Sequence, residues 1–197
     1  AVAHIRAYHQ VDSVEIAALC NPSGRHLDGD FSDVHGNVGS DEPVKLDMTH
    51  IAAYRGLEEM LADESIDLID ITTPTFLHRE QALAALTASK HVLCEKPMAN
   101  SAQEAEAMIA AARSAGRKLG VAYRVHFEPN NMQALKIVED GDLGTMRFVS
   151  ADHGFSANPD YPPHKWRLEK ALAGGGSLWD IGVYGINTSL IFRRWPG

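Results

Sequence analysis

The sequence predicts an α/β protein: a parallel sheet covered by helices on both faces, followed by part of an α+β unit. Three observations carry this. From residue 1 to residue 122, short apolar runs alternate with helical periodicities. The runs are continuously apolar rather than alternating, as expected of strands buried on both faces of a parallel sheet. After residue 123 the alternation stops, and a helix, a longer extended run, a Gly- and Pro-rich loop and a second helix follow. The boundary therefore falls near residue 123, giving units of 1–123 and 124–197.

Taken in order, Val2, Ile5 and Tyr8 share one face of an opening helix. Residues 14–20 form an apolar run that ends in Asn21, Pro22, Ser23 and Gly24, so a buried strand and a turn are expected. Residues 21–47 are rich in Gly, Asp, Ser and Pro and show no period, which marks a long loop. Leu57, Met60 and Leu61 mark a short helix, and 66–71 a second strand. Pro74 opens a helix to about residue 88, with Leu77, Ala82, Leu83 and Leu86 inward. A third strand is expected at 90–94. Ser101 and Glu104 then form a capping box before Ala105, Met108, Ile109 and Ala112. Gly116 stops that helix, and 118–122 is the fourth strand. Beyond the boundary, a helix is expected at 128–140, a strand from 145 to about 155, and a helix from 177 to 192.

The chain has 197 residues and a net charge of −8; 45% are apolar and 22% charged, a balance that excludes a disordered chain. The acidic balance argues against nucleic acid, whose phosphates need a surplus of Lys and Arg on one face. No apolar run reaches the roughly 18 residues of a membrane span. The two cysteines, Cys20 and Cys94, lie in apolar strand runs and read as buried free thiols of a reducing compartment. Asp28, Asp30, Ser32 and Asp33 resemble a calcium loop, but its sixth position is Asp33 instead of Gly and its twelfth is Gly39 instead of Glu. The histidines lack zinc-helix spacing, and no metal site is expected.

Open parallel sheets bind ligands beyond the carboxyl ends of their strands. Four polar clusters stand there: Asn21 to Arg25, Thr72, Thr73 and Pro74 with His78, Glu95-Lys96-Pro97, and Tyr123, Arg124 and His126. Any one could be ordinary loop polarity; four at one sheet edge point to a site. Glu95 and Lys96 leave a strand on opposite faces, so a simple salt bridge between them is disfavoured. A lysine in such a cleft can act on a proton or stabilise a developing oxyanion. In the run Gly174, Gly175, Gly176, Ser177, the glycines allow close backbone approach and Ser177 can cap the next helix. Asp180 and Tyr184 then share a helical face, where a carboxylate and a phenol can bind a polyol and relay a proton. Apolar neighbours suggest that this helix is mostly buried, so Asp180 needs a partner. Trp166 and Arg167 read either as a stacking pair for a base or ring or as interdomain packing.

Together, Glu95-Lys96-Pro97, Thr73-Pro74 with His78, Tyr123-Arg124 and the run from Gly174 to Tyr184 resemble the Gfo/Idh/MocA oxidoreductases, most closely the glucose–fructose oxidoreductase branch. The resemblance covers nearly the whole chain except 21–47. It implies a Rossmann domain followed by a domain with a large open sheet, and a nicotinamide-dependent sugar or polyol dehydrogenase. The family lysine maps to Lys96 and the family aspartate to Asp180. Tyr184 stands where most members carry His, a departure that matches the named branch. The resemblance makes Lys96, Asp180 and Tyr184 catalytic. It places Lys96, Tyr123, His126, Asp180 and Tyr184 on the substrate. It places Asn21, Ser23, Arg25, Thr72, Thr73, Pro74, His78, Glu95, Lys96, Arg124, Trp166 and Arg167 on the cofactor.

A carboxylate after the second strand usually accepts the ribose hydroxyls of NAD. Asn21 stands there instead, with Ser23 and Arg25 behind it, and Arg25 could pair with a 2′-phosphate. The expectation leans to NADP, with NAD possible. In the family, a first strand and a Gly-x-Gly-x-x-Gly turn precede the opening helix, and His4 matches a histidine common just after that turn. Neither is in this chain, and most of the second-domain sheet would follow Gly197. The expectation is therefore a partial chain whose parent is a cytoplasmic homo-oligomer, a dimer or tetramer, acting on a sugar or polyol. A non-catalytic cofactor- or sugar-binding module of the same fold is the alternative.

Overall fold

The computed structural model describes residues 1–34, 42–154, 158–160, 167–170, 172–173 and 175–193. Five short strands carry the first part: β1 (Ala18–Cys20), β2 (Ala52–Tyr54), β3 (Leu68–Ile71), β4 (His91–Glu95) and β5 (Leu119–Ala122). All pairing between them is parallel. β1 lies on β2 with Ala18 opposite Ala52, and β4 lies between β3 and β5, with Ile71 opposite Cys94 and Cys94 opposite Val121. The helices are α1 (Val2–Tyr8), α2 (Leu57–Leu61), α3 (Thr75–Thr87), α4 (Ala102–Ala115), α5 (Pro129–Glu139) and α6 (Val183–Phe192). A π-helical turn, Leu178–Gly182, leads into α6.

One apolar core joins the layers. Ile69, Ile71, Val92 and Cys94 of the sheet meet Ala82, Ala85 and Leu86 of α3 and Met108 and Ala112 of α4. Ala18, Cys20 and Tyr54 of the β1–β2 pair pack on the same core. A smaller core gathers Val2 and Ile5 of α1 with Phe31 and Val44 from the long loop. Both cysteines are free thiols; Cys94 is buried and Cys20 half-buried.

Local chemistry sets the helix ends. Ser101 Oγ accepts the Glu104 N–H at 3.2 Å, and the Glu104 carboxylate reaches back to the Asn100 N–H at 3.0 Å. Gly116 ends α4 at φ +61, a left-handed cap that favours glycine. Glu128 caps α5, and Pro129 occupies its first turn.

Several expectations are corrected. The inward face of α3 is Thr75, His78, Ala82, Ala85 and Leu86, while Leu77 and Leu83 are half-buried. β1 covers only the end of the 14–20 run. β2 was not expected, because three residues after a polar loop show no period; its pairing with β1 makes it a strand. No strand forms over 145–154, and residue 155 lies outside the described residues. A strand needs a hydrogen-bonded neighbour, and none of the described strands pairs with this segment. The helical run from the π-helical turn through α6 is not mostly buried: Leu178 in the turn and Ile186 in α6 are each 51% exposed.

Candidate active site at the strand ends

Lys96 leaves the end of β4 and turns towards the π-helical turn. Its ammonium donates to the Asp180 carboxylate at 3.0 Å and also to the Asp180 carbonyl. The other oxygen of that carboxylate accepts Arg167 Nε at 2.9 Å. The three side chains are 16%, 21% and 26% exposed, so the ions sit partly desolvated in a shared cluster. Burial pushes the Asp180 carboxyl up, but Lys96 and Arg167 outweigh it and hold the group below its ordinary range. The partner expected for Asp180 is therefore a pair of cations.

Tyr184 completes the group. The Lys96 ammonium lies 4.9 Å from the centre of the Tyr184 ring, a cation–π contact. Tyr123 stands 5.4 Å from the same ring and His153 6.1 Å. The Tyr123 hydroxyl donates to the Val183 carbonyl at 3.1 Å, and burial followed by the nearby Tyr184 pushes its phenol up to about 12. His126 Nε2 contacts the Asn187 side-chain oxygen, and its ring packs on Tyr123. Tyr123 and His126 thus clamp the end of β5 against α6. Gly175 admits the Trp179 ring, since a Cβ there would stand 2.5 Å from it. Gly174 lies outside the described residues.

The other end of the edge is built differently. Asn21 Oδ1 accepts the Ser23 N–H and hydroxyl at 3.1 and 2.9 Å, and Asn21 Nδ2 donates to the Arg25 carbonyl. Gly24 adopts φ +78, with the Arg55 guanidinium packed over it; a Cβ would lie 2.6 Å from an Arg55 nitrogen. Arg55 follows β2, the strand that the sequence did not show, so it escaped notice. Arg25 donates to Asp33 at 3.0 Å, so the guanidinium expected to meet a 2′-phosphate already has a carboxylate partner.

The middle clusters turn inward. His78 is 1% exposed, and its ring nitrogens meet the Thr73 and Pro97 carbonyls at 2.8 and 3.0 Å. It ties the loop after β3 to the loop after β4, and leaves no ring nitrogen for a ligand. Thr73 donates its hydroxyl to Gln81, while Thr72 and Pro74 are half-buried on the same loop. Glu95 is also committed: one oxygen meets His4 and the other accepts the Lys96 N–H at 2.9 Å. Arg124 is exposed on the turn Arg124–His126. Arg167 belongs to the Lys96–Asp180 cluster, and Trp166 lies outside the described residues.

With this geometry in place, comparison with known proteins identifies the relationship. Residues 1–123 match the oxidoreductase family with an NAD-binding Rossmann fold, and residues 131–193 match the Gfo/Idh/MocA C-terminal domain. The chain belongs to the Gfo/Idh/MocA family. Its first part is accordingly a Rossmann-type NAD-binding fold. Among curated relatives, a 1,5-anhydro-D-fructose reductase of Ensifer adhaerens is 37% identical over 67% of this chain and 39% of its own length. A D-xylose 1-dehydrogenase [NADP(+)] of Haloarcula marismortui is 32% identical over 82% of this chain and 47% of its own. Among solved structures, an aldose-aldose oxidoreductase from Caulobacter crescentus complexed with glycerol superposes with a TM-score of 0.77 at 38% identity. That match covers 95% of this chain and 52% of the other. The chain thus spans about two fifths to a half of the length of these relatives. Among the described residues, no helix is long and apolar enough to cross a membrane.

Proposed function

We propose that the protein is an NADP-linked oxidoreductase that moves a hydride between the nicotinamide and a sugar or polyol. The observation that carries this is the convergence of Lys96, Asp180 and Tyr184 from two separate units of the fold onto one point beyond the strand ends. We assign residues 1–123 to the cofactor domain and 124–197 to the start of the substrate domain.

The donor set fits the cofactor at both ends. Beyond β1, Ser23, Arg25 and Arg55 offer a hydroxyl and two guanidiniums to a 2′-phosphate, and Gly24 lets the backbone come close. Beyond β4, Lys96 fits the chemical end. A bound nicotinamide supplies the hydride acceptor or donor. Everything else in the step falls to this chain. In reduction, the Tyr184 phenol donates its proton to the substrate carbonyl oxygen; in oxidation, the phenolate takes the proton of the substrate hydroxyl. The Lys96 ammonium lies over the Tyr184 ring, 4.9 Å from its centre, and this cation–π contact fixes the ring beside the reacting atoms. Asp180, held ionised between Lys96 and Arg167, accepts sugar hydroxyls, while Tyr123 and His126 shape the wall on which the sugar rests.

The test is NADP reduction with a panel of aldoses and polyols, run beside an NADPH-binding titration. Turnover with some member of the panel supports the proposal. Tight binding without turnover on any member would replace it with the non-catalytic module, and failure to bind would sink it. The proposal extends to a cytoplasmic homo-oligomer. Support comes from the free Cys20 and Cys94, and from Phe127 and Phe148, which are 76% and 82% exposed and would be covered by assembly.

A further inference from the structure

His4, on the first turn of α1, sits between two carboxylates. Its Nδ1 lies 2.8 and 3.0 Å from the Asp70 oxygens on β3, and its Nε2 lies 3.0 Å from Glu95 Oε1 at the end of β4. An ionised carboxylate only accepts hydrogen bonds, so both ring nitrogens donate and the ring is an imidazolium. Asp70 also accepts the Tyr8 hydroxyl at 2.9 Å. The second oxygen of Glu95 accepts the Lys96 backbone N–H at 2.9 Å. The side chains of His4, Asp70 and Glu95 are only 14%, 19% and 33% exposed, so these links are poorly screened by water. A continuous path of charge-assisted bonds therefore runs from α1 through β3 and β4 to the residue that holds Asp180 and Tyr184.

We propose that His4 is a positioning residue for Lys96: its imidazolium holds the Glu95 carboxylate on the Lys96 N–H and so sets the direction in which the Lys96 side chain leaves β4. The importance of Lys96 rests on the oxidoreductase reading; the link itself does not. Loss of the His4 proton leaves the ring a single N–H for two carboxylates. Asp70 and Glu95 then repel each other across it, and the grip on Lys96 loosens. The groups facing His4 are Asp70 on β3, Glu95 at the end of β4 and the Tyr8 ring on α1, while the Cys94 thiol and the Ala1 nitrogen lie in the field of the same two carboxylates. The hydrogen bonds to Asp70 and Glu95 outweigh burial and push the imidazole up to about 9, so the loosening belongs on the alkaline side.

The experiment is competitive acetylation with trace acetic anhydride, with the Lys96 and Lys90 peptides quantified by mass spectrometry across the neutral to alkaline range. Lys90 is the internal control: it is buried at the far end of the β4 segment, with its ammonium on the Asp63 carbonyl. In the unaltered protein the Lys96-to-Lys90 ratio is expected to step upward near pH 9. His4→Gln should raise the ratio at neutral pH by about fivefold, the equivalent of roughly 1 kcal/mol of lost restraint, and abolish the step. An unchanged ratio in folded His4→Gln, or an equal rise at Lys90, overturns the proposal, because the effect would be absent or a general loosening. Should His4→Gln not fold, Glu95→Gln cuts the same link without removing the imidazole, and an unchanged ratio there also overturns it. Should neither variant fold, the presence or absence of the step in the unaltered protein decides. NADPH titration of the same samples reads the oxidoreductase proposal separately, so failure of one is distinguishable from failure of the other.

Discussion

Tyr184 is the side chain on which the proposed chemistry turns, and the phenol hydroxyl is the only part of it that moves a proton. Tyr184→Phe keeps the ring that packs on Lys96, Tyr123 and His153. Loss of a positioned acid or base costs about a hundredfold or more. The kcat of Tyr184→Phe should fall by at least that much, with the NADPH dissociation constant unchanged; steady-state rates and a fluorescence titration check both. At the other end of the edge, the proposal makes charge the selector of the cofactor. Arg25→Ala or Arg55→Ala should weaken NADPH by about tenfold or more, the worth of one charge-assisted bond, and spare NADH. Asp33→Asn should tighten NADPH, because it frees Arg25 from its present partner. Parallel titrations with both nucleotides test this, and equal effects on the two would refute the assignment.

The helices are held by end chemistry more than by length. In α4, the Ser101 hydroxyl satisfies the Glu104 N–H, one of the donors that a helix start leaves free. Ser101→Ala should cost about 1 kcal/mol, seen as a lower urea midpoint at unchanged slope. Gly116 makes a cleaner case. A Cβ there would meet nothing within 4 Å, so the cost of Gly116→Ala comes from its φ of +61 alone. That cost should also be about 1 kcal/mol. The loops after β3 and β4 depend instead on His78, whose two carbonyl partners lie on different loops. That makes a structural tie out of a residue whose type and place suggested a ligand contact.

Across the whole molecule, ionised pairs join α1 to the sheet and the sheet to the π-helical turn, and they make stability depend on pH. The His4 imidazole rises from an ordinary 6.5 to about 9, so its contribution is complete below 6.5 and is lost as pH climbs through 9. Glu95 and Asp180 are held below their ordinary 4.5 and 3.8, so their contributions are complete above those values and fade as acid protonates them. Burial pushes the Cys94 thiol up to about 12, which also erodes stability above its ordinary 9. The urea midpoint should therefore be highest between about pH 4.5 and 6.5. His4→Gln should flatten the decline from there to 9; an undiminished decline would place its cause elsewhere.

Apart from β2, the order of the elements up to residue 122 was legible in the sequence, because buried parallel strands need continuous apolar runs and helices need caps and a period near 3.6. Lys96, Asp180 and Tyr184, which the structure brings into contact, stood out in the sequence as candidates, since strand ends, glycine runs and helical spacing are local signals. β2 and the unpaired 145–154 segment were not legible, because pairing is decided by a neighbour distant in sequence. The partners of each charged side chain were hidden for the same reason: His4 meets Asp70 and Glu95, 66 and 91 residues away. Residue type and spacing set which groups could act; the packing of α1, the sheet and the π-helical turn decided which of them meet, because ion pairs form by distance in space.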